Sequence, residues 1–186
     1  MYRRTLLLAA GSSVFAGCST TSSAPSDAAA KRADINASVD RALSDLYAQA
    51  KGSRELVASS RGVLVFPKVV SAGFVVGGSY GEGALRKGGS TTGYYSTAAG
   101  SVGLLAGAQS KAVYLLFMTQ EALAKFEASK GWTAGADASV ALVNVGADAQ
   151  ATTKTVQQPI VGYVLTNAGL MANLSLDGTK FTKLEL

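Results

Sequence analysis

The hydrophobic period of the chain changes near Arg61, and this change constrains the fold more than any other feature. Before it, apolar residues recur at steps of three and four from Ile35 to Ala50, which is the spacing of one buried helix face. After it, residues 62–67 form a continuous apolar run closed by proline, which predicts a strand buried on both sides. The chain therefore combines N-terminal helices with a following sheet.

Helices are predicted at three places in the sequence. The first begins near Asp34 or Asn36, either of which can cap it, and ends at Gly52. Its polar face carries both signs of charge, so a core helix and a membrane-contacting helix are both open interpretations. A shorter helix follows over 53–59, and a third over 119–129 has a threonine in the N-cap position.

Further strands are predicted from apolar runs and from alternation. Residues 111–118 form another buried run, while 132–142 and 170–177 alternate between a core side and a wetter side. The pair Asp177-Gly178 predicts a two-residue hairpin that returns the chain through a last strand in 180–186. The expected fold class is α+β, with N-terminal helices packed on a largely antiparallel, curved or barrel-like sheet that has one inserted helix.

The N-terminus has the order of an export signal. Arg3 and Arg4 give a positive start, and the apolar segment that follows is roughly half of the ~20 residues that a membrane-spanning helix needs. The run Phe15-Ala16-Gly17-Cys18 resembles a bacterial lipobox, in which the cysteine is acylated and becomes the first residue. An ordinary secretory signal with a chance cysteine is the alternative.

The residues after Cys18 predict a tether. Residues 19–33 are rich in serine, threonine and alanine and contain no bulky apolar side chain, so they are expected to stay flexible. The predicted organisation is a lipoprotein signal peptide over 1–17, a flexible tether over 18–33 and one domain over 34–186. Ser19 resembles the residue that follows the cysteine in outer-membrane lipoproteins, which predicts a lipid-anchored protein in the envelope of a Gram-negative bacterium, at the outer membrane.

The residue types that the sequence lacks exclude several kinds of catalytic and metal site. The sequence contains no histidine, which removes the commonest general base, the usual zinc ligand and the Ser-His-Asp hydrolases. Cys18 is the sole cysteine, so no internal disulfide can form. We therefore expect no enzyme, no metal site and no cofactor. The net charge of +5 is not concentrated enough to indicate nucleic-acid binding.

Five strings resemble, in order, the successive motifs of the SYLF domain family: GVLVFP, GGSYGEGAL, YYSTAAGSVGLLAGAQ, GWTAGADASVAL and GLMANLSLDGT. The resemblance runs from Asp34 to Leu186, and Asn173 departs from the glycine that is more common in the family. It implies membrane-lipid binding, since eukaryotic relatives bind phosphoinositides and fungal members also bind actin filaments. Bacterial relatives place an export signal and a lipobox ahead of a lone SYLF domain.

In the eukaryotic members, an amphipathic segment at the N-terminal side of the domain carries much of the lipid binding. The corresponding segment here, 31–68, has seven cations against four carboxylates. The resemblance makes these cations the candidate headgroup-binding residues: Lys31, Arg32, Arg41, Lys51, Arg54, Arg61 and Lys68. Anionic phospholipid or lipopolysaccharide phosphates are the expected ligands, and an ordinary solvated surface is the alternative.

The glycines of GGSYGEG have a spacing that invites comparison with a phosphate loop. Gly78, Gly81 and Gly83 do not have the spacing or the following helix of the dinucleotide-binding fingerprint, so a turn or bulge between strands is favoured. Glu82 and Asp137 are expected to pair with a basic residue or a backbone amide rather than to act in catalysis.

These observations favour a non-catalytic, lipid-anchored module that binds anionic headgroups. A second hypothesis is a lipid-tethered protein-interaction module, actin-binding-like or specific for an envelope protein. A hydrolase using serine, aspartate or lysine is the third, and the missing histidine argues against it.

Overall fold

The computed structural model describes residues 25–73, 76–102, 109–143, 157–166, 169–170 and 175–186. In these residues the helices are α1 Pro25–Gln49, α2 Ser53–Ser59 and α3 Gln120–Ala128. The strands are β1 Gly62–Gly73, β2 Val76–Lys87, β3 Ser90–Val102, β4 Gln109–Phe117, β5 Trp132–Thr133, β6 Ala141–Leu142, β7 Ile160–Thr166, β8 Gly169–Leu170 and β9 Lys180–Leu184.

These strands form one curled sheet in the order β5-β9-β3-β2-β1-β4-β7-β6, with β8 also paired to β7. Among the described strands, β6 and β7 run parallel and every other pair is antiparallel. The predicted α+β class, with helices packed on a largely antiparallel curved sheet, is confirmed.

One side of the sheet packs against α1. The helical stripe predicted from the sequence is buried there, and its core positions are Ile35, Val39, Ala42, Leu46 and Ala50. They contact strand residues that alternate toward the same side, such as Val65, Tyr114 and Tyr163. The core-helix interpretation of this stripe therefore holds for α1.

The other side of the sheet packs against α3 and is rich in aromatic rings. Phe126 on α3 has its ring centroid 4.9 Å from that of Phe117 and 5.7 Å from that of Trp132. Trp132 continues the cluster to Phe181 on β9 at 5.6 Å. Offset and edge-on rings at these distances add specific attraction to the area that they bury. The inserted helix predicted over 119–129 is confirmed, and Thr119 Oγ1 accepts a hydrogen bond from the Ala122 amide at 3.2 Å.

The start of α1 differs from the prediction. The helix begins at Pro25 rather than near Asp34, so residues 25–33 are helical where a flexible tether was expected. Proline suits the first helical turn because its missing N–H would have no intrahelical partner there. Lys31 then anchors this part of α1 to the sheet through Glu82. The signal peptide, residues 18–24 and the acylation predicted at Cys18 lie outside the described residues.

Strand β1 also runs further than predicted. Proline was expected to close it at residue 67, but pairing with β2 and β4 resumes and continues to Gly73 and Ser71 respectively. The pairing register shifts between Val65 and Lys68, so Pro67 lies in a bulge, where its missing N–H breaks no ladder bond.

The alternating segment 132–142 is not one strand. It forms the short β5, a turn at 135–137 and the short β6. Gly135 has φ of 84°, and the Asp137 carboxylate accepts the Thr133 amide at 2.6 Å, which bends the backbone. Its apolar positions are still used, because Trp132 and Ala134 are buried and residues 138, 140 and 142 pack on the same core.

The Asp177-Gly178 turn is present, with Gly178 at φ of 78°. The last strand follows it as predicted, but β9 pairs with β3 and β5. The predicted strand over 170–177 is described at Gly169–Leu170, which pairs with β7, and at 175–178, which is outside any strand. Residues 171–174 lie outside the described part of the chain.

Candidate functional site

A cleft of about 420 Å³ lies between α1, the bulge of β1 and the neighbouring ends of β4 and β7. We call it the α1 cleft. Its helix residues are Ser38, Arg41, Ala42, Asp45 and Gln49, and its strand residues are Pro67, Lys68, Ser110, Lys111, Ala112, Tyr114, Leu165 and Thr166. The strand residues come from β1, β4 and β7, which are adjacent in the sheet.

The helix side of this cleft follows from spacing. Ser38, Arg41 and Asp45 are three and four residues apart, so they lie on one face of α1. Arg41 Nη2 donates to Ser38 Oγ at 3.2 Å. Next to this face, Tyr114 Oη donates to the Ala42 carbonyl at 2.8 Å and fixes the helix over β4. Burial raises the pKa of Tyr114, and the nearby Asp45 charge raises it further, so the phenol stays a neutral donor.

The strand side depends on the bulge in β1. The register shift after Val65 places Lys68 opposite Glu82, on the side of the sheet that faces α1. Two glycines of β2 make room for the bulge. A Cβ on Gly81 would lie 2.8 Å from the Lys68 carbonyl oxygen, and one on Gly83 would lie 1.9 Å from that of Val65.

The glycine string therefore has a different role from the one predicted. Gly78, Gly81 and Gly83 all lie within β2 rather than in a turn, and the bulge is on the neighbouring strand. The two carboxylates near these motifs pair as expected. Glu82 accepts from Lys31 at 2.8 Å, and Asp137 accepts a backbone amide.

Lys111 was missed by the sequence analysis. It pairs with Val69 of β1 and Thr166 of β7, and alternation along β4 puts it on the side of Val113, so it reaches the cleft from its edge. Burial lowers the pKa of Lys111. A lysine at the start of a strand carries no local signal of such a position, because the position depends on which strands pair.

A second cleft of about 490 Å³ lies between α1, α2 and the turn that joins β2 to β3. We call it the α2 cleft. Its cations already have partners within the protein. Arg86 Nη2 donates to Asp40 at 2.6 Å, and the Arg54 guanidinium lies 4.3 Å from the centroid of the Tyr47 ring. Burial raises the pKa of Tyr47, and Arg54 acts in the opposite direction.

The structure distributes the seven predicted cations over several places. Arg41 and Lys68 meet in the α1 cleft, and Lys31 is held by Glu82 on the same side of the sheet. The remaining cations lie elsewhere: Arg54 lines the α2 cleft, Lys51 and Arg61 are exposed at either end of α2, and Arg32 is half-buried on α1.

The α1 cleft is the stronger candidate on electrostatic grounds. No ion pair among the described residues involves Arg41 or Lys68, so both charges are available to a ligand. On the α1 side of the sheet, the lining therefore has two cations, Arg41 and Lys68, against the single carboxylate of Asp45. Two clustered cations beside serine hydroxyls are suited to oxygen-rich anions such as phosphate esters.

These features define a class of protein: an α+β domain with a curled antiparallel sheet and a cationic cleft under its first helix. Residues 98–185 match the Ysc84 family model, which is described as Las17-binding protein actin regulator. The match confirms the predicted SYLF resemblance in the part of the chain from β3 to β9. No curated protein matches the chain. Across the described ranges, every helix is too short or too polar to cross a bilayer.

Proposed function

We propose that this domain is a non-catalytic, lipid-anchored envelope module that binds the anionic headgroups of membrane lipids in the α1 cleft. The observation that carries the proposal is that Arg41 of α1 and Lys68 of β1 both line this cleft. Among the described residues, neither cation has an ion-pair partner. A cation near an anionic bilayer contributes about 1 kcal/mol. A tethered domain needs only a few such contacts, because the tether raises the local headgroup concentration.

Headgroups with a net negative phosphate fit the lining better than zwitterionic ones. Arg41 offers a planar donor pair and Lys68 a compact charge, while Ser38 and Ser110 add hydroxyls at the two walls. The carboxylate of Asp45, on the same helix face, repels a ligand that carries a second negative charge. The cleft therefore favours one phosphate diester, as in phosphatidylglycerol, over a highly charged polyphosphate.

Vesicle co-sedimentation tests this proposal with the unacylated chain from Cys18 onward. Wild type is expected to bind vesicles that contain phosphatidylglycerol and not vesicles of phosphatidylcholine alone. Arg41→Glu combined with Lys68→Glu should weaken binding by about thirtyfold or more, because two contacts of about 1 kcal/mol are lost.

The matched control is Lys130→Glu combined with Lys183→Glu, which changes the net charge equally at two exposed lysines outside the cleft. Binding of this control should stay within about twofold of wild type, since only the general electrostatic attraction falls. Lys51→Glu with Arg54→Glu tests the cations around α2 in the same assay. Equal binding of every variant to neutral and anionic vesicles would contradict the proposal.

A second candidate is a lipid-tethered protein-interaction module. It is supported by the description of the matching family, which names a protein partner and actin regulation. Crosslinking in intact cells separates the two candidates. A single stoichiometric protein partner, together with no vesicle affinity of the isolated domain, would favour the second.

A further inference from the structure

Among the described residues, α1 covers only part of the sheet on its side. α1 crosses this side over residues such as Val65 and Ala84 and leaves the far ends of β1, β2 and β3 uncovered. We call this surface the sheet-tip patch, and its exposed members are Val70, Ala72, Val76, Tyr80 and Ala98. Cross-strand pairs hold it together, since Tyr80 is opposite Val70 on one side and Ala98 on the other.

The sheet-tip patch contains large hydrophobic side chains with high solvent exposure. Val70, Val76 and Tyr80 are 40%, 73% and 53% exposed, and they are all the exposed large hydrophobic residues that the described ranges contain. Single exposed apolar residues are ordinary on a protein surface. Their concentration on one face of the sheet, with small residues between them, marks a contact surface.

The sheet-tip patch adjoins the α1 cleft. Val70 pairs directly with Ser110, which lines the cleft, and lies two positions after Lys68 on the same side of β1. On β2, Tyr80 Oη donates to Glu82 at 2.9 Å, and Glu82 in turn holds Lys31. Apolar side chains next to a row of cations form the pattern of a surface that rests in the headgroup region of a membrane.

The first turns of α1 lie on this same side of the sheet. Lys31 fixes the N-terminal part of α1 beside Tyr80, and α1 begins at Pro25. The segment between Cys18 and Pro25 spans at most about 25 Å when fully extended. An anchor at Cys18 therefore holds Pro25, at the start of α1, within that distance of the bilayer.

We infer that the sheet-tip patch lies against the lipid bilayer, with Val70, Val76 and Tyr80 in the interfacial layer while the α1 cleft receives a headgroup. The inference rests on the proposed function in two respects, namely that the partner of the domain is a membrane and that Cys18 anchors the chain to it. It adds an apolar contact that does not depend on headgroup charge.

Fluorescence quenching on vesicles tests the inference. Val76→Trp is made in the unacylated chain from Cys18 onward and coupled through the sole cysteine to maleimide-bearing lipid in neutral vesicles with brominated acyl chains. Coupling places the domain at its native tether whatever its headgroup affinity. The buried Trp132 gives a constant background, which coupled wild-type protein measures.

The matched control is Ala124→Trp, an exposed position on α3 at the opposite side of the sheet. We expect the indole introduced at position 76 to lose fluorescence to the brominated chains and to shift to shorter wavelength, and the one introduced at position 124 to do neither. In the uncoupled chain, Val70→Glu with Val76→Glu should lower partition onto anionic vesicles by about tenfold or more.

The outcomes separate this inference from the proposed function. If neither indole is quenched, or only that of the control, the sheet-tip patch does not contact the bilayer and the inference is overturned, even where wild type still binds anionic vesicles. If the Val76→Trp indole is quenched and the Arg41 and Lys68 charge reversals leave binding unchanged, the patch inference stands and the headgroup proposal fails.

Discussion

Gly83 of β2 lies directly against the carbonyl group of Val65, so that a Cβ on residue 83 would come within 1.9 Å of the Val65 oxygen. The contact exists because β1 bulges at Pro67 toward its neighbour. The bulge in turn places Lys68 on the α1 side. Gly83 has no chemical function of its own, but its close packing against β1 allows the bulge that shapes the α1 cleft.

Gly83→Ala is expected to destabilise the fold by about 3 kcal/mol or more, because the methyl group can be accommodated only by moving backbone. Chemical denaturation measures the loss. Gly78→Ala on the same strand is the control, since its Cβ would meet only the Ala99 carbonyl oxygen at 3.8 Å. Equal stability of the two variants would show that β1 and β2 do not approach as described.

The Lys31–Glu82 ion pair predicts a dependence of stability on pH. Burial acts to raise the pKa of Glu82, but hydrogen bonds from Lys31 and Tyr80 outweigh it and lower the pKa. A lowered carboxyl pKa stabilises the fold above the unfolded value of about 4.3, and this contribution is lost as the pH falls through the folded pKa.

Glu82→Gln should therefore be less stable than wild type at neutral pH, and the two should converge in acid. The difference is expected to stay below about 1 kcal/mol, because both side chains are partly exposed and solvent screens the pair. Denaturation midpoints measured from pH 3 to pH 7 give the comparison. A difference that grew toward low pH would contradict the assigned direction.

The phenol of Tyr114 predicts a further difference in stability. Tyr114→Phe removes the hydrogen bond to the Ala42 carbonyl and should cost about 1 kcal/mol. Tyr163→Phe is the control, since that phenol makes no hydrogen bond within the described residues. Burial raises the pKa of Tyr163 to about 12, so both phenols are neutral in the assay. No loss for Tyr114→Phe relative to Tyr163→Phe would mean that the Tyr114 phenol does not hold α1 in place.

Much of the fold follows from local pattern. The α1 stripe, the buried run of β4 and the Thr119 cap were predictable because each depends on burial period or on a hydrogen bond to a neighbour in the chain. Segment 132–142 shows the limit of that method. Its apolar and polar residues do alternate. However, the Asp137 carboxylate accepts a hydrogen bond from the Thr133 amide, and the chain turns after two strand residues.

The candidate site was predictable in composition and not in arrangement. The charge excess of 31–68 drew attention to Arg41 and Lys68, but their meeting depends on a bulge and on the pairing of β1 with β4. Lys31 and Glu82 are 51 residues apart, and no local pattern links them. Lys111 and Ser110 join the site through the same strand pairing, which a single sequence does not reveal.

Mass spectrometry of the mature N-terminus, on protein purified from its native cells, tests most directly the claim that this domain works at a membrane. The account predicts a chain that begins at Cys18 and carries a thioether-linked diacylglyceryl group. A native chain that begins at another residue and carries no fatty acid would contradict it.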